Sequence, residues 1–229
     1  MAGSEVSRVT TPAAIKVFIV DDHALVREWL GHLLRLERDF VLVGEADDPA
    51  RALAAMTREP PDVAVVDISL KQGSGLELIK HLRAQLPEVE VVVLSMHDGV
   101  GDVERAFRAG AIGYVMKRES TGQIVEAIRQ ARAGRIFANA ATLAQLNARF
   151  MGDSAGGASP LDVLSDREVD VFRRLGLGHS TRQIAEDIGV GLKTVQTYCG
   201  RMKEKLGLPD GAALAHFALR WHEQSVRSD

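Results

Sequence analysis

Five side chains stand where chemistry would need them, each directly after or at the end of a short Val- or Ile-rich run. The runs are Val17–Val20, Val41–Val43, Val63–Val66, Val89–Leu94 and Ile112–Met116. Asp21 and Asp22 follow the first, Asp67 the third, Ser95 the fourth and Lys117 the fifth. If the runs are parallel strands of one sheet, three carboxylates, a hydroxyl and an ammonium converge on one rim. That rim is where open parallel sheets carry their chemistry. Clustered carboxylates repel one another and are tolerated with a cation between them. A hard, oxygen-lined site with few protein ligands favours Mg²⁺, which keeps several waters and leaves room for a phosphoryl oxygen. Lys117 could neutralise phosphate charge and Ser95 could donate a hydrogen bond to it. Singly, each residue has a plainer use: Asp21 or Asp22 could cap the next helix, Asp67 could cap a turn, and Ser95 could be a satisfied hydroxyl. Their coincidence at strand ends favours the cation and phosphoryl chemistry.

Stretches with helical patterning separate the runs, at roughly 23–37, 49–58, 75–86, 100–109 and 120–134. The runs are continuous rather than alternating, as expected of strands buried on both faces. Five strand–helix repeats predict a doubly wound, five-stranded parallel sheet with helices on both sides, an α/β domain of flavodoxin-like type. After residue 150 the composition changes to GDSAGGASP (152–160), a Gly/Ser/Ala linker closed by Pro160. Beyond it only short helices are expected. Ser165 with Glu168 and Ser180 with Gln183 have capping-box spacing, a third helix begins near Lys193, and Asp210 could cap a fourth. The expected division is a loose tail over 1–14, the α/β domain over 15–136, a linker over 137–160 and a small all-α domain over 161–229.

Composition bounds the rest. The chain has 229 residues, 46% hydrophobic and 26% charged, which excludes wholesale disorder. No apolar run approaches the roughly 18 residues of a membrane span, and the amino terminus lacks the apolar core of a signal peptide. The single cysteine, Cys199, excludes an internal disulfide. A cytoplasmic protein without membrane contact is expected. Net charge is −3, but residues 192–206 hold Lys193, Arg201, Lys203 and Lys205 against Glu204 alone. A short basic helix on an acidic protein is a possible nucleic-acid footprint.

The segments VFIVDDH, VVDISLKQGSGLELI, VVVLSMHD and AGAIGYVMK resemble the signatures of a two-component receiver domain. Residues 164–208 resemble a LuxR-type helix-turn-helix module, so the chain resembles a response regulator of the NarL/FixJ class over nearly its whole length. The resemblance implies that Asp67 is the phosphoacceptor, charged by a sensor histidine kinase in a Mg²⁺-dependent reaction. It implies Asp22 as a direct metal ligand, Asp21 acting on the metal through water, and the backbone carbonyl of Ser69 as a third protein ligand. Lys117 would pair with the phosphate, and Ser95 and Tyr114 would form the switch pair, Tyr114 turning inward. Such a protein is a phosphoacceptor with at most self-phosphorylation and autodephosphorylation activity, not an enzyme. Lys71 departs from the proline common at that position, and Ser69 and His97 occupy positions that tune phosphoryl lifetime in receivers.

In the tail, Ile184, Ala185 and Ile188 give one helix an inner face, and Gly189 sits where a sharp turn needs a permissive residue. In the next helix Val195, Cys199, Met202 and Leu206 recur at i, i+4, i+7 and i+11 and should face the core. Lys193, Thr194, Gln196, Thr197, Gly200, Arg201 and Lys203 are then left to meet double-stranded DNA in the major groove. The same face could be an ordinary solvated one. The resemblance further implies a phosphorylation-dependent homodimer, with Leu214, Phe217 and Trp221 of the last helix offering one contact. Two other readings remain open. The tail could bind DNA or protein independently of phosphorylation. An aspartate-nucleophile phosphatase is disfavoured, because Ile68 and Ser69 follow Asp67 where a second aspartate would be needed.

Overall fold

The computed structural model describes residues 13–70, 73–96, 100–140, 142–144 and 160–227. Most of the predicted tail and linker, together with Lys71 and His97, lie outside the described residues. In chain order the first domain is β1 (Ile15–Val20), α1 (Ala24–Leu36), β2 (Phe40–Ala46), α2 (Pro49–Arg58), β3 (Val63–Asp67), α3 (Gly75–Gln85), β4 (Glu90–Ser95), α4 (Val100–Ala109), β5 (Gly113–Met116) and α5 (Thr121–Arg132). The five strands form one parallel sheet in the order β2-β1-β3-β4-β5.

Successive side chains of each strand feed opposite layers. Val17 and Ile19 pack with Leu30 and Leu34 of α1 and Ile124 and Ile128 of α5. Phe18 and Val20 pack with Met56 of α2, Ile79 and Leu82 of α3, and Val103 of α4. Strands β3, β4 and β5 are buried almost throughout, as their continuous apolar runs predict. Strand β2 departs from that pattern. It is an edge strand, so most of its residues are half-exposed, although Phe40, Leu42, Val43 and Ala46 still pack into the two apolar layers.

Phe137, read above as the start of the linker, pairs with the sheet. Phe137 exchanges backbone hydrogen bonds with Ile112 and Tyr114 beside β5, and Asn139 donates to Glu119 at 3.0 Å.

The second domain is a 3₁₀ turn (Pro160–Val163) and helices α6 (Asp166–Gly176), α7 (Thr181–Asp187), α8 (Leu192–Leu206) and α9 (Gly211–Arg227). Both capping boxes form, and Asp210 accepts the Ala213 amide at 2.8 Å. Between α7 and α8, Gly189 has φ +65°, a left-handed conformation that side chains with a Cβ rarely adopt. Phe172 anchors the core, with Phe217 and Trp221 edge-on at 5.9 and 5.8 Å. Of the residues expected to offer a dimer contact, Leu214 is buried in this core, while Phe217 and Trp221 pack against it and stay half-exposed.

Candidate functional site

The carboxyl ends of β1, β3 and β5 bring Asp21, Asp67 and Lys117 together at the point where strand order reverses, between β1 and β3. Asp21 and Asp67 are buried, and the Lys117 ammonium lies between them, 2.6 Å from Asp21 Oδ2 and 2.7 Å from Asp67 Oδ2. The other oxygens of these carboxylates take backbone donors: His23 N–H to Asp21 Oδ1 and Ser69 N–H to Asp67 Oδ1, each at 2.8 Å. Arg27 of α1 donates to the Asp21 carbonyl at 2.6 Å and fixes the end of β1. Ser95, at the end of β4, is buried, and its carbonyl accepts the Lys117 amide at 2.7 Å. Tyr114 is also buried.

Burial pushes the Asp67 carboxyl up; Lys117 lowers it and Asp21 raises it again, and the net effect is upward. For Lys117, burial pulls the ammonium down, but the two carboxylates outweigh this and raise it. It stays charged. Asp21, Asp22, His23 and Asp67 can each offer a ligand atom within 4.8 Å of the others. Three carboxylates against one ammonium leave two negative charges in a nearly dry site. That residue of charge and the all-oxygen carboxylate set suit one divalent cation.

Two participants were not picked out from the sequence. His23 Nδ1 lies 3.2 Å from Asp21 Oδ1 and 3.0 Å from Asp22 Oδ1, with its ring half-exposed at the rim. Its only sequence signal was adjacency to the aspartate pair. Gly75 opens α3 so close to β3 that a Cβ there would sit 2.2 Å from the Asp67 carbonyl. Only glycine allows α3 to brace the Asp67 backbone.

The loop after Asp67 leads to the second domain. Ile68, Ser69, Leu70 and Leu76 line one wall of a cavity of about 170 Å³ whose other wall is α6. Ion pairs close it: buried Asp102 of α4 with Arg173 of α6, and Asp166 of α6 with Arg105 at 3.4 Å and Lys80 at 3.6 Å.

On α8, Val195 and Met202 are buried and Cys199 and Leu206 pack partly against the same core, as predicted. Burial raises the Cys199 thiol further from reactivity. Lys193, Thr194, Gln196, Thr197 and Arg201 are exposed, while Gly200 and Lys203 are half-buried. Lys205, counted above in the basic stretch, instead turns inward to Glu168 of α6 at 2.6 Å. No Cβ at Gly200 would meet any atom within 4 Å.

Residues 17–129 match the response regulator receiver domain family, and residues 162–218 match the LuxR family of bacterial regulatory proteins. The chain is 35% identical over 204 residues to the DNA-binding transcriptional activator DevR/DosR of Mycobacterium tuberculosis, covering 89% of this chain and 94% of that one. It is 34% identical to the transcriptional activator ExaE of Pseudomonas putida, over 89% and 95% of the two chains. This chain belongs to the LuxR-family response regulators. A LuxR-family response regulator structure from Aurantimonas is 29% identical with a TM-score of 0.57, covering 61% of this chain and 99% of that one. The RcsB regulator of Salmonella typhimurium, at 21% identity and TM-score 0.62 over 91% and 98%, shares the fold. As a response regulator, the protein is a two-domain transcription regulator and not an enzyme of the phosphatase class. No described helix is long and apolar enough to cross a membrane.

Proposed function

We propose that this response regulator takes a phosphoryl group from a sensor histidine kinase onto Asp67 and thereby controls DNA binding by α8. One observation carries the reading: Lys117 ties Asp21 to Asp67 at 2.6 and 2.7 Å, with Asp22 beside them, at the ends of three strands. In the transfer, a carboxylate oxygen of Asp67 attacks phosphorus, the phosphorus–nitrogen bond of the phosphohistidine breaks, and the imidazole leaves. Asp21, Asp22, Asp67 and the Ser69 carbonyl would hold Mg²⁺, which supplies charge neutralisation for the phosphoryl oxygens. Lys117 exchanges its bond to Asp67 for one to the phosphoryl group, and the Ser95 hydroxyl turns to the same oxygens. Tyr114 fills the space behind Ser95. Small phosphodonors serve in place of the kinase, and hydrolysis of the acyl phosphate resets the site.

The switch reaches the DNA domain through Ile68, Ser69, Leu70 and Leu76, which follow the phosphoacceptor and line the cavity beside α6. Lys193, Thr194, Gln196, Thr197, Gly200, Arg201 and Lys203 form the DNA face, and the protein works in the cytoplasm as a phosphorylation-dependent homodimer. The polar face of α8, with Lys193, Gln196 and Arg201, is exposed. Control then acts by pairing two copies on adjacent half-sites rather than by uncovering the helix.

The test is intact mass after incubation with acetyl phosphate and Mg²⁺. The wild type gains one phosphoryl group; Asp67→Asn, which keeps the shape but lacks the attacking charge, gains none. Uptake by Asp67→Asn at the wild-type level ends the reading.

A further inference from the structure

Four arginines and three aspartates line the cavity between the receiver and α6. Each aspartate already holds one arginine: Asp102 has Arg173 at 2.5 Å, Asp166 has Arg105 at 3.4 Å and Asp170 has Arg174 at 3.1 Å. Arg167 is left with a second share of Asp170, at 3.9 Å, and donates no hydrogen bond among the described residues. Its side chain is only 20% exposed. A guanidinium carries five donors in a planar fork, and a carboxylate is the acceptor whose geometry matches it.

The rest of the lining describes what the carboxylate should be attached to. Leu70 and Leu76 of the receiver and Val169 of α6 are buried, and Leu177, just past α6, is 57% exposed. The lining runs along α6 from Asp166 to Leu177, about 16 Å of helix. The space is therefore long rather than round. A cavity of about 150 Å³ is enough to hold benzene, so 170 Å³ takes an apolar chain of about six to eight carbons. Charge sets the head group. The lining carries one cation in excess, which balances one negative charge, whereas a phosphate dianion would leave a second charge among three aspartates.

We propose that the cavity between the domains is an effector site for a medium-chain carboxylic acid, its carboxylate on Arg167 and its chain lying along α6 toward Leu177. Such a ligand touches both domains at once. One wall is the segment that follows Asp67, and the cavity exists here with Lys117 bound to Asp67. Phosphorylation breaks that bond, so the acid and the phosphoryl group bias the same segment in opposite directions. The site stands on the lining residues alone; its effector role rests on the phosphoacceptor reading above. By linkage, each ligand then weakens the other by the same factor.

The experiment is calorimetric titration of the full chain with butanoate, hexanoate and octanoate, and with hexanamide as a neutral counterpart. The acids should bind one per chain, each added CH₂ tightening binding about fourfold. Hexanamide should bind about tenfold more weakly than hexanoate. Arg167→Gln keeps bulk and hydrogen bonding without the charge; it should weaken hexanoate about tenfold and leave hexanamide unchanged. Leu177→Asp, at an exposed position that the fold tolerates, should weaken octanoate and spare butanoate, because only the longer chain reaches that end. Beryllofluoride, the phosphoryl mimic, added with Mg²⁺ should weaken octanoate about fivefold. No saturable binding of any acid, equal affinity for acid and amide, or full affinity in Arg167→Gln overturns the site. Octanoate binding that is the same with and without beryllofluoride overturns the effector role. Phosphoryl uptake at Asp67, measured separately by mass, stays at the wild-type level in Arg167→Gln, so failure of the site and failure of the phosphoacceptor reading give different results.

Discussion

Lys205, in the last turn of α8, reaches back to the buried carboxylate of Glu168 in the first turn of α6, at 2.6 Å. The same carboxylate accepts the Ser165 amide at 2.7 Å. A helix N-cap and the orientation of α8 thus share one side chain. Lys205→Met keeps the apolar stem but leaves the buried charge with Ser165 alone to hold it. The expected loss is about 1–3 kcal/mol of stability, read from the urea midpoint of the full chain. An unchanged midpoint removes this pair from the account of how α8 is held.

The pair also sets a pH dependence. Burial alone would push the Glu168 carboxyl up, but hydrogen bonds from Lys205 and Ser165 outweigh it and hold the group below the usual 4.5. Its folded value is thus depressed relative to the unfolded chain. The pair's contribution is complete above the unfolded value and is lost as pH falls through the folded one. Urea midpoints of wild type and Glu168→Gln should differ near neutral pH and converge as the pH drops below the usual glutamate range. Equal differences at both ends would contradict the depressed value.

Much of this protein was legible in its sequence because local rules and tertiary roles agree. The Val-rich strands of the receiver and the S-x-x-E and S-x-x-Q boxes fall where the fold puts them. Asp21, Asp67 and Lys117 were legible because strand ends in a parallel sheet share one rim. What escaped depends on contacts between distant segments. Lys205 counts as a basic residue in any linear tally, and only the fold shows that Glu168 takes its charge inward. Leu214, Phe217 and Trp221 form a stripe whose partner is Phe172 in α6, which periodicity alone does not name. The half-exposure of β2, not shared by the other edge strand β5, which Phe137 flanks, is a property of strand order and neighbours rather than of its residues.

The contact between the domains is ionic, and it should respond as ionic contacts do. Asp102 is buried against Arg173, while Asp166 faces Arg105 and Lys80. Asp102→Ala removes the one buried carboxylate of the set and leaves Arg173 opposite an apolar side chain. The domains should separate, with a larger radius of gyration in small-angle scattering at low salt. About 1 M salt, where screening acts over about 3 Å, should produce part of that expansion in the wild type. A scattering curve insensitive to both changes would mean that the apolar wall of Leu70, Leu76 and Leu177 holds the domains instead.

Lys117 occupies the space where added positive charge is most favourable. Lys117→Ala raises the site from two negative charges to three and leaves Asp21 and Asp67 repelling each other in a dry setting. The variant should be less stable than wild type without divalent cations and should recover more stability on adding Mg²⁺. The larger recovery reflects tighter binding to the folded state alone. Thermal unfolding with and without Mg²⁺ measures both halves. An equal Mg²⁺ gain in the two proteins would place the cation elsewhere.

The exposed face of α8 should divide by role when the protein meets DNA. Gln196 is neutral, exposed and near the start of the helix, with a donor and an acceptor on one amide. It can pair twice with adenine, a discrimination worth about 1–3 kcal/mol. Lys203 is farther along, half-buried at its stem, and suited to holding a phosphate. Neutralising it should weaken operator and random DNA alike and reduce the salt slope by about 0.9. Gln196→Ala should narrow the gap between operator and random DNA and leave the slope nearly unchanged. Gly200 supplies a third, independent reading. A Cβ there meets nothing within the chain, so Gly200→Ala should stabilise α8 by about 1 kcal/mol. If the DNA backbone approaches that position, the more stable variant binds DNA less well. Binding isotherms at several salt concentrations, with thermal unfolding of Gly200→Ala, separate these outcomes. Should Gly200→Ala gain stability and keep full affinity, the groove does not close on that turn of α8, and contact is confined to the end carrying Lys193 and Gln196.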